Sequence, residues 1–195
     1  MERVWSDVGG APILDFVNTA GGAGEARDAE RLTGHAAVLD WGVWAGLLSR
    51  NEAVAGAGFS RTRLLARREA LHAVLCAHAA GAPAPEAAVD VVSGWIVEAR
   101  GRALLKRSKA GYVWRADGAA GGLLLSDRLA LEAERLLTGG DMARLRRCER
   151  CSWLFLSGGR GRPRRWCSMA TCGNREKAAR HYARKTSAPS PRTPD

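Results

Sequence analysis

The sequence predicts an α+β fold: a mainly helical N-terminal domain with a small antiparallel sheet, followed by a smaller C-terminal module. Three observations predict this fold. Apolar residues recur at helical spacing over much of residues 33–99. Glycine-containing turns separate short strand-like segments between residues 103 and 125. Four of the five cysteines fall within residues 148–172, which marks a separately organised segment.

Length and composition exclude several classes of protein. With 195 residues, 46% hydrophobic and 26% charged, the chain is long enough for one domain and a small module, and wholesale disorder is not expected. The longest stretch without an acidic or basic residue, Ala70 to Pro85, contains two His, one Gly and two Pro, so it does not predict a membrane span. The N-terminus carries charges where a secretory signal has an apolar run, so a cytoplasmic protein is expected.

Three helices are predicted before residue 102. Apolar residues at three- and four-residue steps indicate the first between Thr33 and Ser49. Ser60 can cap the second, which ends near Gly81. Pro85 suits the first turn of the third, which runs to about Ala99. The residues expected to face inward are Val38, Trp41, Ala45, Leu48, Leu64, Leu71, Leu75, His78, Val89, Val92 and Ile96.

A small sheet and a fourth helix are predicted next. Residues 103–106 and 112–115 flank a turn and indicate a hairpin, and Leu123 to Leu125 suggests a further strand. Ser126 and Asp127 are typical caps for the following helix. The pair Gly139 and Gly140 then gives a domain boundary, with domains at 1–140 and 141–186. Residues 187–195 are polar and proline-rich, which predicts a disordered tail.

The cysteine cluster predicts a structural metal site. Cys148, Cys151, Cys167 and Cys172 are separated by two, fifteen and four residues, a spacing at which a hairpin can return the second pair to the first. Four sulfur ligands favour one Zn²⁺, and they leave no open position for catalysis. Disulfides, redox chemistry and an iron–sulfur cluster are the less favoured alternatives. Trp153, Phe155 and Trp166 are expected to form a miniature core beside the ligands.

Sequence motifs around these ligands resemble a known family. The run from Arg164 to Arg175 contains Cys172-Gly173-Asn174-Arg175, and with the CxxC pair it resembles the CGNR zinc-finger family over about residues 145–185. The segment Leu14 to Thr19 is similar to the start of the ABATE domain, which usually precedes that finger. The resemblance implies a bacterial, stress-responsive transcription regulator that binds DNA. In place of the family's acidic residue after Trp-Leu-Phe, this chain has Ser157-Gly158-Gly159.

The charge distribution agrees with a nucleic-acid role for the C-terminal module. The chain has a net charge of +10, and all of this excess lies in residues 141–195, with 14 Lys or Arg against 4 Asp or Glu. Zinc bound to four thiolates would reduce it to about +8. A helix following Cys172, capped by Ser168 or Thr171, would place Lys177, Arg180 and Arg184 on one face. Further candidate nucleic-acid contacts are Arg160, Arg162, Arg164, Arg165, Asn174 and Arg175.

Other interpretations remain open. A solvated basic face, RNA binding and docking on an acidic protein partner fit the same charges. The neutral N-terminal domain is expected to sense a ligand, to form a homodimer or to act as a scaffold. Asp15 and Asn18 are weak candidates for a small ligand pocket, with a turn or cap as the favoured alternative. His72 and Cys76 are expected to serve packing. No catalytic motif is present, so the chain is not expected to be an enzyme.

Overall fold

The computed structural model describes residues 5–54, 59–109, 111–117, 121–158 and 162–186. These ranges contain seven α-helices and three two-stranded antiparallel sheets, so the α+β class is confirmed. The helices are α1 Pro12–Val17, α2 His35–Trp44, α3 Arg50–Val54, α4 Arg61–Ala79, α5 Glu86–Arg102, α6 Gly121–Thr138 and α7 Asn174–Thr186. The strands are β1 Ala20–Gly21, β2 Ala29–Glu30, β3 Leu104–Ser108, β4 Gly111–Arg115, β5 Leu145–Arg147 and β6 Leu154–Leu156.

Helices α4, α5 and α6 form the centre of the N-terminal part. The Ser60 hydroxyl accepts a hydrogen bond from the Arg63 amide at 3.2 Å, so the predicted cap of α4 is confirmed. Gly81 follows the end of α4 at φ +67°, a left-handed conformation that glycine adopts without strain. Leu71 and Leu75 of α4 are fully buried against the neighbouring helices.

The two following helices correct parts of the prediction. Val89 is 43% exposed, and Trp95 takes the central place in α5 because its ring is buried and its Nε1 donates to the Ser126 hydroxyl at 3.0 Å. The expected strand at 123–125 is wrong: these residues lie in α6, which begins at Gly121. Ser126 and Asp127 are therefore buried inside α6 and do not cap it. The Gly-rich start resembles a turn, but burial of the leucines that follow favours the helix.

The predicted hairpin is confirmed. Strands β3 and β4 pair antiparallel from Leu104 opposite Arg115 to Ser108 opposite Gly111. Arg100 of α5 places its guanidinium 4.3 Å from the Trp114 ring centroid and binds Glu134 of α6, which attaches the hairpin to the helices.

Helix α1 lies in the centre of the core. Phe16 is fully buried, with its ring centroid 5.4 Å from Trp41 of α2 and 6.5 Å from Trp95. The first predicted helix after it is shorter than expected, since α2 covers only His35–Trp44 and α3 follows separately.

Buried arginines hold the segment between α1 and α2 against α4. Arg68 is 3% exposed and binds Glu30 of β2 at 2.6 Å and the Thr19 hydroxyl at 2.8 Å. Arg27 binds Glu69 of α4 at 2.5 Å and the Val17 carbonyl at 2.8 Å. These contacts fix the loop 21–28, which faces the C-terminal part.

The C-terminal part is joined to the N-terminal part by a common core. A 3₁₀ turn, Gly140–Arg144, leads from the predicted boundary into β5, and β5 pairs with β6. Leu145, Leu154 and Leu156 belong to the main hydrophobic core, whereas Phe155, between the two leucines of β6, belongs to a second core that contains three of the cysteines. Alternate residues of one short strand therefore serve two cores. Among the described helices, none combines the length and apolarity that a membrane crossing requires.

Candidate metal centre and basic helix

The four predicted cysteines come together at one point. Their Sγ atoms all lie within 4.8 Å of one another. Cys151 to Cys167 is 3.8 Å, Cys167 to Cys172 is 3.7 Å, and Cys172 to Cys151 is 3.7 Å. A tetrahedron of sulfurs at a Zn–S distance of about 2.3 Å has edges of about 3.8 Å. The arrangement therefore fits one tetrahedral Zn²⁺.

Backbone hydrogen bonds bring the two cysteine pairs together. The turn after β5 closes when the Cys148 amide donates to the Trp153 carbonyl at 2.9 Å. The second pair is attached when the Glu149 amide donates to the Arg165 carbonyl at 3.1 Å. Cys172 lies in a π-helical turn, Met169–Gly173, that continues into α7. The metal ligands and the basic helix are thus parts of one continuous segment.

The electrostatics of the cluster favour a bound cation when all four sulfurs are ionised. Cys151 and Cys167 donate hydrogen bonds to the Cys148 sulfur, which lowers the pKa of Cys148. The same contacts, together with burial, raise the pKa of Cys151 to about 12 and raise the pKa of Cys167 above its ordinary value. Four adjacent thiolates therefore do not coexist without a compensating positive charge. A divalent metal supplies that charge, so the site is suited to metal binding.

The chemistry of the donors selects zinc and a structural role. Backbone amides of Arg150 and Cys167 are hydrogen-bonded to the Cys148 sulfur, and the Trp153 amide is bonded to Cys151, which orients the sulfurs toward a common centre. Four sulfur ligands complete the coordination of Zn²⁺ and leave no position for water or substrate. The cofactor is one structural Zn²⁺.

Aromatic side chains form the predicted miniature core. Phe155 is fully buried in the second core, and Trp153 and Trp166 pack against it while partly buried. Arg164 lies over the Phe155 ring with its guanidinium carbon 4.5 Å from the centroid. The same side chain donates to the Cys167 carbonyl and the Leu156 carbonyl, both at 3.2 Å. Arg164 therefore stabilises the finger itself.

The remaining residues of the finger that the sequence predicts as nucleic-acid contacts differ in their surroundings. Arg165 is bound to Glu149 by two hydrogen bonds and stacks 5.0 Å from Trp166, so its charge is partly compensated within the finger. Asn174 is exposed and donates to the Ala170 carbonyl at 3.2 Å. Arg162 is exposed, and Arg160 lies outside the described residues.

Helix α7 carries the predicted basic face. Lys177, Arg180 and Arg184 are exposed and line one common shallow groove with Ala183, so they lie on the same side of the helix. We call these three residues the basic ridge. Arg180 lies 3.4 Å from Glu176, which also binds Arg150 at 3.2 Å and so connects the helix to the first cysteine pair. The predicted side-chain cap is wrong: Ser168 occupies the cap position, but its hydroxyl makes no capping bond there.

Asp15 and Asn18 do not meet in one pocket. The Asp15 carboxylate accepts the Gly9 amide at 2.8 Å, and burial raises its pKa to about 7. The Asn18 side chain donates to the Leu154 carbonyl at 2.8 Å and accepts the Leu154 amide at 3.0 Å. Asn18 therefore attaches α1 to β6, a role for which the sequence gives no signal because the partner lies 136 residues away. Asp15 borders a separate shallow surface pocket of about 280 Å³.

His72 and Cys76 serve packing, as expected. The Cys76 sulfur lies 3.4 Å from His72 Nε2, which also contacts the Ser152 carbonyl at 2.8 Å. Burial lowers the pKa of His72 to about 4 and raises the pKa of Cys76. A neutral imidazole therefore connects α4 to Ser152, the residue that follows the second zinc ligand.

A cleft that the sequence does not predict opens between the two parts of the chain. It has a volume of about 680 Å³, and we call it the interdomain cleft. Its lining includes Trp5, Arg31, Cys151, Trp153 and Arg175. Arg175, a candidate nucleic-acid contact in the sequence, thus faces the N-terminal part and is not among the residues of the basic ridge.

A close approach of backbone to side chain shapes one wall of this cleft. The Trp153 Nε1 donates to the Ala20 carbonyl at 3.0 Å. A Cβ placed on Gly21 would lie 2.5 Å from that nitrogen, so only glycine fits there. The fixed loop and the first cysteine turn are therefore in direct contact.

Comparison with known families matches both parts of the chain. Residues 144–185 match the CGNR zinc finger. Residues 10–140 match the ABATE family, which is described as "putative stress-induced transcription regulator". A search among curated proteins found no match. Because the second match spans more than half of the chain and precedes the finger, the chain belongs to the ABATE family and carries a C-terminal CGNR zinc finger.

Proposed function

We propose that this protein is a bacterial, cytoplasmic transcription regulator, not an enzyme, and that its zinc finger binds DNA through the basic ridge. The observation that carries the proposal is the placement of Lys177, Arg180 and Arg184 on one exposed face of a helix that continues directly from a zinc ligand. The family's description as a transcription regulator supports it. The N-terminal part, with no net charge, would provide ligand sensing or dimerisation.

The geometry of the ridge suits a phosphate backbone. Within the described residues, the side chains of Lys177 and Arg184 make no hydrogen bond or ion pair, and the Arg180 side chain has one contact, with Glu176. Three adjacent cations on a helix face can each neutralise a phosphate and release its counterions. The zinc site fixes the start of this helix, so the cations are presented in a defined arrangement.

The proposal is tested by salt-titrated binding to duplex DNA. Replacing the ridge by Lys177→Ala, Arg180→Ala and Arg184→Ala is expected to weaken binding at least tenfold near physiological salt. It should also make the dependence of log K on log salt shallower by about 2.7, since each lost phosphate contact contributes about 0.9. Fluorescence anisotropy with random and selected duplexes at five salt concentrations measures both quantities.

A charge-matched control separates ridge contacts from net charge. Arg107→Ala, Lys109→Ala and Arg115→Ala remove three charges of the same sign from the β3–β4 hairpin, where all three residues are exposed. This control is expected to keep the wild-type slope within about 0.5. Equal affinities and slopes for the ridge variant and wild type would refute the proposal. If wild type binds single-stranded RNA with the same affinity as duplex DNA, the result would favour the RNA alternative.

A further inference from the structure

Three of the four zinc ligands line the interdomain cleft. Cys151, Cys167 and Cys172 belong to its wall, and Cys148 does not. Cys167 is 1% exposed and Cys172 is 4% exposed, whereas Cys151 is only half-buried. Cys151 is therefore the most exposed of the three ligands that line the cleft.

The chemical form and the surroundings of the Cys151 sulfur also favour reaction. A cysteine that binds zinc does so as a thiolate, which is the nucleophilic form of the sulfur. Arg31 and Arg175 line the same cleft and would favour approach of polar or negatively charged reagents. Access, nucleophilic form and neighbouring cations thus meet at one residue.

We propose that Cys151 is the site at which small electrophiles and two-electron oxidants of the peroxide class modify this protein, and that the interdomain cleft is their route of entry. The site goes beyond DNA binding, because modification of the sulfur does not require the basic ridge. Only its effect on DNA affinity rests on the proposed function.

The reaction with a peroxide balances within the cluster. The Cys151 thiolate attacks one peroxide oxygen; an S–O bond forms, the O–O bond breaks, and the departing hydroxide takes a proton to become water. A second thiolate then attacks the Cys151 sulfur, an S–S bond forms, the S–O bond breaks, and the departing hydroxide takes a second proton from the solvent to become water. Cys172 at 3.7 Å and Cys167 at 3.8 Å are placed for this step. Two sulfurs lose two electrons in total, and hydrogen peroxide is reduced to two molecules of water.

In the oxidised protein, two of the four zinc ligands are joined in a disulfide and no longer bind the metal. The remaining pair does not retain Zn²⁺ at the original affinity, so the ion is released. The π-helical turn contains Cys172 and leads into α7, and it therefore loses its fixed position. If the ridge binds DNA as proposed, oxidation lowers that affinity.

The chain contains its own reference thiol. Cys76 is half-buried on α4, is not part of the cleft lining, and has a pKa raised by burial. A buried neutral thiol is a poor nucleophile. Cys76 thus reports the background reactivity of a thiol in the same folded molecule.

The experiment maps the first modification on the zinc-loaded full chain. The protein is treated with 0.2 equivalents of N-ethylmaleimide, so that most labelled molecules carry one label, and the modified cysteine is identified by peptide mass spectrometry. More than two thirds of the early label is expected on Cys151 and less than a tenth on Cys76. Equal labelling of the four ligands, or first labelling of Cys148 or Cys76, would overturn the proposal.

Two single substitutions test the route of entry and leave all four zinc ligands unchanged. Thr171 is exposed and lines the cleft, whereas its neighbour Ala170 is exposed but does not. Thr171→Phe is expected to slow labelling of Cys151 at least threefold, and Ala170→Phe to leave the rate within a factor of 1.5, in proteins that each contain one zinc. Equal rates for the two variants would show that the cleft is not the route.

A peroxide titration completes the test. Hydrogen peroxide is expected to release one Zn²⁺ per equivalent consumed and to give a disulfide that contains Cys151. Zinc release with a disulfide that excludes Cys151 would contradict the assignment. The ridge variant Lys177→Ala, Arg180→Ala and Arg184→Ala should react at the wild-type rate, so a failure of DNA binding and a failure of this proposal are distinguished.

Discussion

At the scale of single residues, most buried side-chain polar atoms of the described residues have a partner, and Arg147 Nε and Trp166 Nε1 are exceptions. Asp15 illustrates the free-energy cost of burying a carboxylate, because the residue is 9% exposed and its carboxylate accepts one amide hydrogen bond, from Gly9. Burial outweighs that hydrogen bond, and repulsion from Asp7 adds to it, so the pKa of Asp15 is about 7. The carboxyl group is therefore largely neutral in mildly acidic solution.

This pKa predicts a dependence of stability on pH. An acid whose pKa is raised on folding stabilises the folded state fully below its unfolded pKa, here 3.8, and loses that contribution as the pH rises through about 7. Between pH 5 and pH 8, wild type is expected to lose about 2 to 3 kcal/mol more unfolding free energy than Asp15→Asn, which retains an acceptor for Gly9 but no charge. Urea unfolding of both proteins at the two pH values measures the difference.

The comparison between the two proteins removes contributions they share, including proton competition for the zinc ligands. Parallel stability curves for the two proteins would show that Asp15 is ionised in the folded state throughout this range.

At the scale of elements, local signals predicted those helices whose ends are chemically marked. Ser60 and Gly81 delimit α4, and the cysteine spacing predicted the whole zinc site. The start of α6 was missed because Gly121 and Gly122 indicate a turn, while the helix there is stabilised by burial of Leu124 and Leu125 against distant segments. Such stabilisation depends on tertiary contacts, which no short window of sequence contains.

The role of zinc differs between the elements of the finger. Strand β6 is anchored in the main core by Leu154 and Leu156, whereas the turn Met169–Gly173 and α7 are attached mainly through the cysteine cluster. Chelation of zinc is expected to raise amide hydrogen exchange in that turn and in α7 at least tenfold, and in β6 much less. Hydrogen exchange followed by mass spectrometry, with and without chelator, measures this, and α4 provides the reference. Equal increases of amide hydrogen exchange in β6 and α7 would contradict the different dependence of these two elements on zinc.

At the scale of the whole molecule, the two family-matched regions are one folded body around a common core. The predicted boundary at Gly139 and Gly140 lies between α6 and β5, yet Leu145 and both leucines of β6 are buried with the helices of the N-terminal part. Asn18 strengthens this connection through its two hydrogen bonds to Leu154. The sequence could not predict it, because the contacting residues are more than 130 positions apart.

Removal of this connection is expected to affect the stability of the whole chain. Asn18→Ala leaves the buried amide and carbonyl of Leu154 without their partner, at a cost of about 2 to 4 kcal/mol of unfolding free energy. Asn174→Ala, at an exposed position on α7, should cost less than about 0.5 kcal/mol. Urea unfolding of the zinc-loaded proteins compares the two, and similar losses would argue against a joining role for Asn18.

The alternation along β6 also limits how the sequence of this family member can change. Deleting or inserting one residue directly before Leu154 would move every side chain of β6 to the opposite face of the strand. The leucines would then point at the cysteines, and the phenylalanine at the helices. We therefore expect selection to remove insertions and deletions in this strand even where substitutions are accepted. A shift of one residue would disrupt the main core and the core beside the cysteines together.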